Sequence, residues 1–294
     1  TPKPSSAASD VYKRQLLILF FAMLLSQKRS LFTVAGYKFL GLSLPRVRDL
    51  APILMIWGIA IVIMGISNDF GPALLLFSTV LGMLFMATNR VSWLLIGVIL
   101  VGIGGFGIYQ ISDKIQQRFS NFIDPLANYD STGYQLSQAL FGMSSGGITG
   151  TGLGQGHPDM VPVAHSDFIL AGIGEEFGLV GLSAVLILFA MLVSRGFRTA
   201  LTCRDTYGKL VASGLALTLA VQVFVVTGGI SALLPMTGLT TPFMSAGGSS
   251  LMANYMLLAV LLRISNAARR PARELTSNAP SDTSMFPAIQ EATR

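Results

Sequence analysis

The sequence predicts an all-α fold, a polytopic bundle of transmembrane helices, and three observations carry that expectation. Only 12% of the 294 residues are charged against 52% hydrophobic, with a mean hydropathy of +0.63. A soluble domain carries about 25% charged residues. The apolar residues gather in runs near the roughly 20 residues that a helix needs to cross the hydrocarbon core. Lys and Arg then fall on alternate sides of those runs, a pattern that a soluble bundle has no reason to keep.

Taken in order, residues 1–15, "TPKPSSAASDVYKRQ", are polar and abut "LLILFFAMLL" with no cap or turn. A basic stretch before a short apolar run imitates a signal peptide, but no small-residue cleavage site follows. "SSAASDVYKRQ" also resembles translated adaptor sequence. The expectation is a non-native or disordered stub on a chain cut at its N-terminal side. About seven spans follow, at 16–25, 51–66, 70–88, 91–111, 168–194, 210–229 and 243–264. The first two are the weakest. Residues 271–294, rich in Pro, Ser, Thr and Ala, read as a disordered tail.

Charge orients the spans. Lys28, Arg29, Lys38, Arg46 and Arg48 fall in 26–50, Arg90 in the tight turn after 70–88, Arg195, Arg198, Arg204 and Lys209 in 195–209, and Arg263, Arg269, Arg270 and Arg273 at the end. The alternate loops hold only Lys114 and Arg118, with Asp69, Asp113, Asp124, Asp130, Asp159 and Asp167. The basic side is expected to be cytoplasmic, C-terminus included, in a multi-pass plasma-membrane protein. The net charge of +6 therefore fits membrane sidedness, and no nucleic-acid partner is expected. A single cysteine, Cys203, excludes a disulfide framework within the chain and a Cys-rich metal site. It reads as a bystander thiol in a loop.

The outer loop 112–167 is too long for a passive connection. Turn signals at Asp124-Pro125 and 130–133 precede a short amphipathic helix from Tyr134, with Leu136, Ala139, Leu140 and Met143 on one side. The segment "SSGGITGTGLGQG" that follows is dense in glycine. Such backbone can cradle a phosphate or sugar, or it is a surface loop that needs positive φ. No Lys-Ser/Thr ending of a nucleotide loop is present.

The stretch "VPVAHSDFILAGIGEEFGLVG" (161–181) sets His165, Asp167, Glu175 and Glu176 against an apolar run. With Ser166 as N-cap, Asp167 would stand in the first helical turn, where the dipole favours an anion. Capping alone explains an acid there; so does chemistry on a lipid-linked, negatively charged substrate. Two turns further in, Glu175 and Glu176 are expensive unless they meet a polar cleft or a partner.

Three stretches together resemble the SEDS family (shape, elongation, division and sporulation; the RodA and FtsW proteins): "GYQLSQALFGMSSGGITGTGLGQG" (133–156), 161–181, and "LLPMTGLTTPFMSAGGSSLMANYMLLAVLLRIS" (233–265), with "SNDFGPALL" (67–75) similar to a fourth element. The resemblance covers 16–270 and is closest in texture to actinobacterial members. It implies a ten-helix fold of which these spans are the last seven. It also implies a peptidoglycan glycosyltransferase that polymerises lipid II on the outer face during elongation or division, beside a class B penicillin-binding protein. Asp167, in His165-Ser166-Asp167, inherits the catalytic position, and Asp69 is a second outer-face candidate. His165 would orient its neighbour, with Glu175 and Glu176 as further candidates. Gly152, Gly154, Gln155, Gly156, Ser249 and Ser250 would contact diphosphate or sugar. Asp167 would take a proton from a sugar hydroxyl or hold a divalent cation, Mg or Mn, against the diphosphate. No protein-only metal cluster is expected. Val163 and Ala246 stand where family members often carry Glu and Tyr, which leaves the fine substrate contacts open. A lipid II flippase and a non-catalytic scaffold are the rival readings.

Overall fold

The computed structural model describes residues 4–27, 38–39, 42–43, 55, 58 and 70–269. Apart from a two-residue antiparallel pair, β1 (Lys38–Phe39) with β2 (Leu42–Ser43), the described residues are helical or looped. Helix α1 is Pro4–Gln27, so residues 4–15, expected to stand outside the fold, continue the same helix as 16–27. The expected span at 51–66 lies outside the described residues but for 55 and 58, as does the tail 271–294.

Helices α2 (Phe70–Thr88) and α3 (Val91–Ile111) are joined by the tight turn that the sequence anticipates. Asn89, at φ 56°, donates its amide to the Phe85 carbonyl at 2.7 Å. Asn tolerates the left-handed conformation that ends a helix this way. Beyond α3 the chain runs on the surface as α4 (Asp113–Ile123) and α5 (Tyr134–Gly146). Both are too short to cross a membrane. The expected helix from Tyr134 is α5, and it buries Leu136 and Ala139 as its pattern requires.

The remaining spans are α6 (Ile169–Thr202), α7 (Thr206–Ile230) and α8 (Gly248–Arg269). Asp205 caps α7 by accepting from the Gly208 amide at 2.9 Å. Five helices, α2, α3, α6, α7 and α8, are long and apolar enough to cross a membrane, and 15–27 is a shorter apolar helix. Side chains such as Val98, Ile99, Phe106, Leu179 and Ile187 are exposed around the bundle. That much apolar surface fits a hydrocarbon solvent.

One core cluster joins α1, α2, α3, α7 and α8 around Ile18, Met83, Trp93 and Leu215. A second lies towards α5, around Leu75, Phe168, Leu170 and Val226. Inside the bundle, the hydroxyls of Thr79 and Thr218 meet at 3.2 Å across α2 and α7. Such interhelical bonds replace the hydrophobic drive that lipid removes.

The expected span 168–194 is not one rod. Gly178 (φ 64°, ψ −166°) interrupts α6, leaving a short helix at 169–177 and a membrane-length one at 179–202, about 36 Å at 1.5 Å per residue. The Gly-rich segment docks into this break. The amides of Thr151 and Gly152 donate to the carbonyls of Glu175 and Glu176, both at 3.0 Å, and those of Leu179 and Val180 donate to Gly147 and Ile148 at 2.9 and 3.1 Å. Backbone groups freed by the break are thereby paired, as they must be where water is scarce.

A side chain cannot enter this contact. A Cβ at Gly150, whose φ is +85°, would lie 2.1 Å from the Glu176 carbonyl oxygen. Gly150→Ala should therefore cost roughly 1–3 kcal/mol and lower the melting temperature in detergent. Gly102→Ala, where an added Cβ meets nothing within 4 Å, should leave it unchanged or raise it slightly. Thermal unfolding of the two variants side by side checks both.

Candidate active site

The turn before α6 is anchored at both ends by apolar side chains. Val161 and Phe168 are buried in the second core cluster, while the backbone between them reverses through Val163 at φ 57°. Amides of Ala164 and Ser166 donate to the carbonyls of Val161 and Val163 at 3.1 and 3.0 Å. The reversal holds Asp167 half-buried, one residue before the N-cap Phe168. This corrects the expected placement inside the first turn with Ser166 as cap. The Asp167 carboxylate accepts from the Ser166 hydroxyl at 2.6 Å. Among the described residues no amide of α6 reaches it, so it does not cap the helix.

What it faces comes from far along the chain. Lys114, Gln117, Arg118 and Asn121, at i, i+3, i+4 and i+7, form one face of α4. With Gln135, Met236, Gly238 and Asp167 they line a cavity of about 240 Å³. Arg118 donates through Nη1 to the Thr237 carbonyl at 3.2 Å. Gly238, at φ 72°, lies between cation and acid: a Cβ there would be 3.4 Å from Arg118 Nη2 and 4.0 Å from Asp167 Oδ2. Glycine leaves that space to the cavity. Two cations thus share a small polar chamber with one carboxylate.

The opposite face of α4 is apolar. Ile115 and Phe119 join Gly105, Phe106, Tyr109 and Pro235 around a second cavity of about 470 Å³. The Phe119 ring meets Tyr109 edge-on with centroids 5.6 Å apart. Arg118 and Met236 border both chambers. The pair can therefore hold a ligand whose anionic centre joins a polar part to a hydrocarbon part.

Other candidates lie elsewhere. Glu175 is 7% exposed and accepts from the His157 amide through Oε1 at 2.7 Å. Glu176 Oε1 accepts from the Gly154 amide at 3.2 Å. These contacts supply the partner that two acids beside an apolar run require. They also occupy the loop: the Gly152 amide is bonded to Glu176 and that of Gln155 to Gly152. Gly152, Gly154, Gln155 and Gly156 do not line the Asp167 chamber, nor do Ser249 and Ser250. The Ser250 hydroxyl pairs with that of Thr240 at 2.8 Å. His165 is exposed, and its carbonyl accepts from the Ala246 amide at 2.8 Å. Asp69 lies outside the described residues.

Sequence reasoning missed Lys114 and Arg118 as site residues. The signal was present, since they are the only Lys or Arg in a loop otherwise rich in acids. Among the described residues no three His, Cys, Asp or Glu side chains gather to hold a metal. Asp167 with Ser166 could ligate a divalent cation only if a substrate's phosphates supplied the other oxygens.

A family model of the FtsW, RodA and SpoVE cell cycle proteins matches residues 9–270. The peptidoglycan glycosyltransferase RodA of Mycobacterium tuberculosis is 51% identical over 267 residues, 91% of this chain and 57% of that protein. The chain thus spans a little over half the length of the mycobacterial relatives it matches. Stage V sporulation protein E of Bacillus subtilis is 32% identical over 262 residues, covering 88% of this chain and 68% of that one. Among solved structures, a chain from a peptidoglycan synthase complex that coordinates polymerization and crosslinking superposes with a TM-score of 0.67 at 25% identity, over 88% of this chain and 70% of that one. The chain belongs to the FtsW/RodA/SpoVE family.

Proposed function

We propose that this chain carries the reaction centre of a peptidoglycan glycosyltransferase that polymerises lipid II, with Asp167 as general base. One observation carries the reading: Asp167 is released from helix capping and shares a chamber with Arg118 and Lys114, against an apolar cavity. A sugar hydroxyl of one lipid II attacks the anomeric carbon of the growing strand. The new C–O bond forms as the bond to the diphosphate oxygen breaks, with inversion. The hydroxyl proton passes to the Asp167 carboxylate, and the leaving diphosphate carries the electron pair to the cationic side of the chamber. Arg118, already oriented by the Thr237 carbonyl, meets that charge through charge-assisted hydrogen bonds. The isoprenoid end of the lipid lies along Phe106, Tyr109 and Phe119. In the alternative role, Asp167 would hold a divalent cation, Mg or Mn, against the diphosphate instead of taking the proton.

The Gly-rich segment, clasped by Glu175 and Glu176, acts by holding the turn of Asp167 rather than by touching substrate. Its relatives' names support the activity, and the synthase-complex match supports a partnership with a class B penicillin-binding protein.

The decisive measurement is glycan polymerisation from lipid II by a full-length protein carrying this sequence, together with its partner. Asp167→Asn should reduce the rate by about 10²–10⁴-fold with the melting temperature retained; a near-normal rate would remove the assignment. Arg118→Gln should lower the polymerisation rate about tenfold to a hundredfold, as loss of a hydrogen bond to charge developing on the leaving group predicts.

Orientation is testable through the one thiol. Cys203 lies just past α6, beside Arg198, Arg204 and Lys209, on the side we assign to the cytoplasm. In intact cells an impermeant maleimide should leave it unlabelled, and permeabilisation should expose it. Burial pushes this thiol up, Asp205 adds to the shift and Lys209 opposes it. A raised pKa leaves less thiolate at neutral pH, so labelling of permeabilised cells should be slow there and speed up as the pH rises.

A further inference from the structure

A second charged cleft lies at the other end of α6. Residues 179–202 form the membrane-length part of α6, so the break beside the Asp167 turn and this cleft lie at opposite ends of one span. There α6 and α8 enclose a cavity of about 480 Å³, lined by Arg195, Arg198 and Arg269 together with Leu192, Leu258 and Leu262. None of the three arginines has an ion-pair partner among the described residues. Arg204 and Lys209 share this side of the chain and do not line the cleft, so its charge is more than the general basic bias of the loops.

We propose that this cleft binds an anionic phospholipid of the adjacent leaflet, its phosphate held between the arginines and an acyl chain laid along the leucines. The chemistry of the lining favours a lipid over a soluble anion. Three exposed arginines share the lining with Leu192, Leu258, Leu261 and Leu262, and the apolar window of α6 is only 11% buried by protein. Basic pockets between membrane helices hold anionic headgroups in this way. The site would steady the far end of the helix that begins beside the Asp167 turn, and it stands whether or not the glycosyltransferase reading does.

The test is native mass spectrometry of the purified protein, supplied with phosphatidylglycerol or phosphatidylcholine. Wild type should retain phosphatidylglycerol in preference. Attraction near an anionic surface is worth about fivefold per basic residue, so Arg195→Gln, Arg198→Gln and Arg269→Gln should each weaken retention about that much. The triple variant should lose on the order of a hundredfold. These side chains are exposed, so the melting temperature in detergent should hold; if the triple variant misfolds, the single variants decide. Arg204→Gln should retain lipid as wild type does. Unaltered retention by the arginine variants would overturn the proposal. So would an equal loss in Arg204→Gln, which would mean diffuse surface attraction, or displacement of the lipid by inorganic phosphate, which would mean a soluble-anion site.

Discussion

The outer half of the molecule depends on the break at Gly178. A continuous helix from Ile169 would leave Glu175 and Glu176 with hydrocarbon as their surroundings, at a cost of several kcal/mol for each unsatisfied group. The break ends the first segment directly after those acids, and the Gly-rich segment supplies every partner that this exposes: amides for two carbonyls, carbonyls for two amides, and further amides for the carboxylates. Contact as close as that of Gly150 with Glu176 admits only backbone without Cβ. Because α5 enters this clasp at Gly146 and the turn of Asp167 leaves it near Pro158, the clasp sets where the acid stands. The glycines thus have a mechanical reason to be there, and a phosphate would compete for amides that two carboxylates already hold.

Much of the fold was legible because a membrane imposes simple rules. Length, apolarity and the sidedness of Lys and Arg located α2 and α3 at their observed ends, and α6, α7 and α8 only within about eight residues of theirs. Asp167 stood out because an acid beside an apolar run demands a reason. The break in α6 was hidden, since Gly172, Gly174, Gly178 and Gly181 look alike in sequence and only the docked segment distinguishes one of them. Helix α4 was hidden as well. It is short, and its two faces have meaning only against Gly238 and Asp167, more than a hundred residues away in places; the bond from Arg118 to Thr237 spans 119 positions. Patterns local to a dozen residues cannot report such a juxtaposition.

The electrostatics of the chamber follow from its walls. Arg118 is half-buried and its field is less screened than that of the exposed Lys114, and a cleft concentrates ligands of opposite sign. Diphosphate is such a ligand, and the adjoining aromatic cavity suits the hydrocarbon attached to it. Arg118 is the hinge of this arrangement because it belongs to both chambers while its own guanidinium is oriented by a main-chain carbonyl. An arginine held in that way presents its remaining donors in a fixed fork, which a lysine could not do. A cation site made of protein ligands alone finds no support in this donor set, which has one acid and two positive side chains.

The same layout weighs against a flippase. Transport through a bundle places ionisable or polar groups along the interior of the spans, commonly at broken helices near the midplane. Among the described residues α6 is broken, and the break is filled by the chain's own backbone. The ionisable residues of the chamber come from α4 and from the turn before α6, both at one face, and the sequence of α2 and α3 carries no Asp, Glu, Lys or Arg at all. Polar and apolar chambers lie side by side at that face, joined through Arg118. A lipid-linked sugar could be held there with its reacting carbon beside the acid and its tail still in the membrane. Among the described residues, that arrangement suits the one-surface chemistry proposed above.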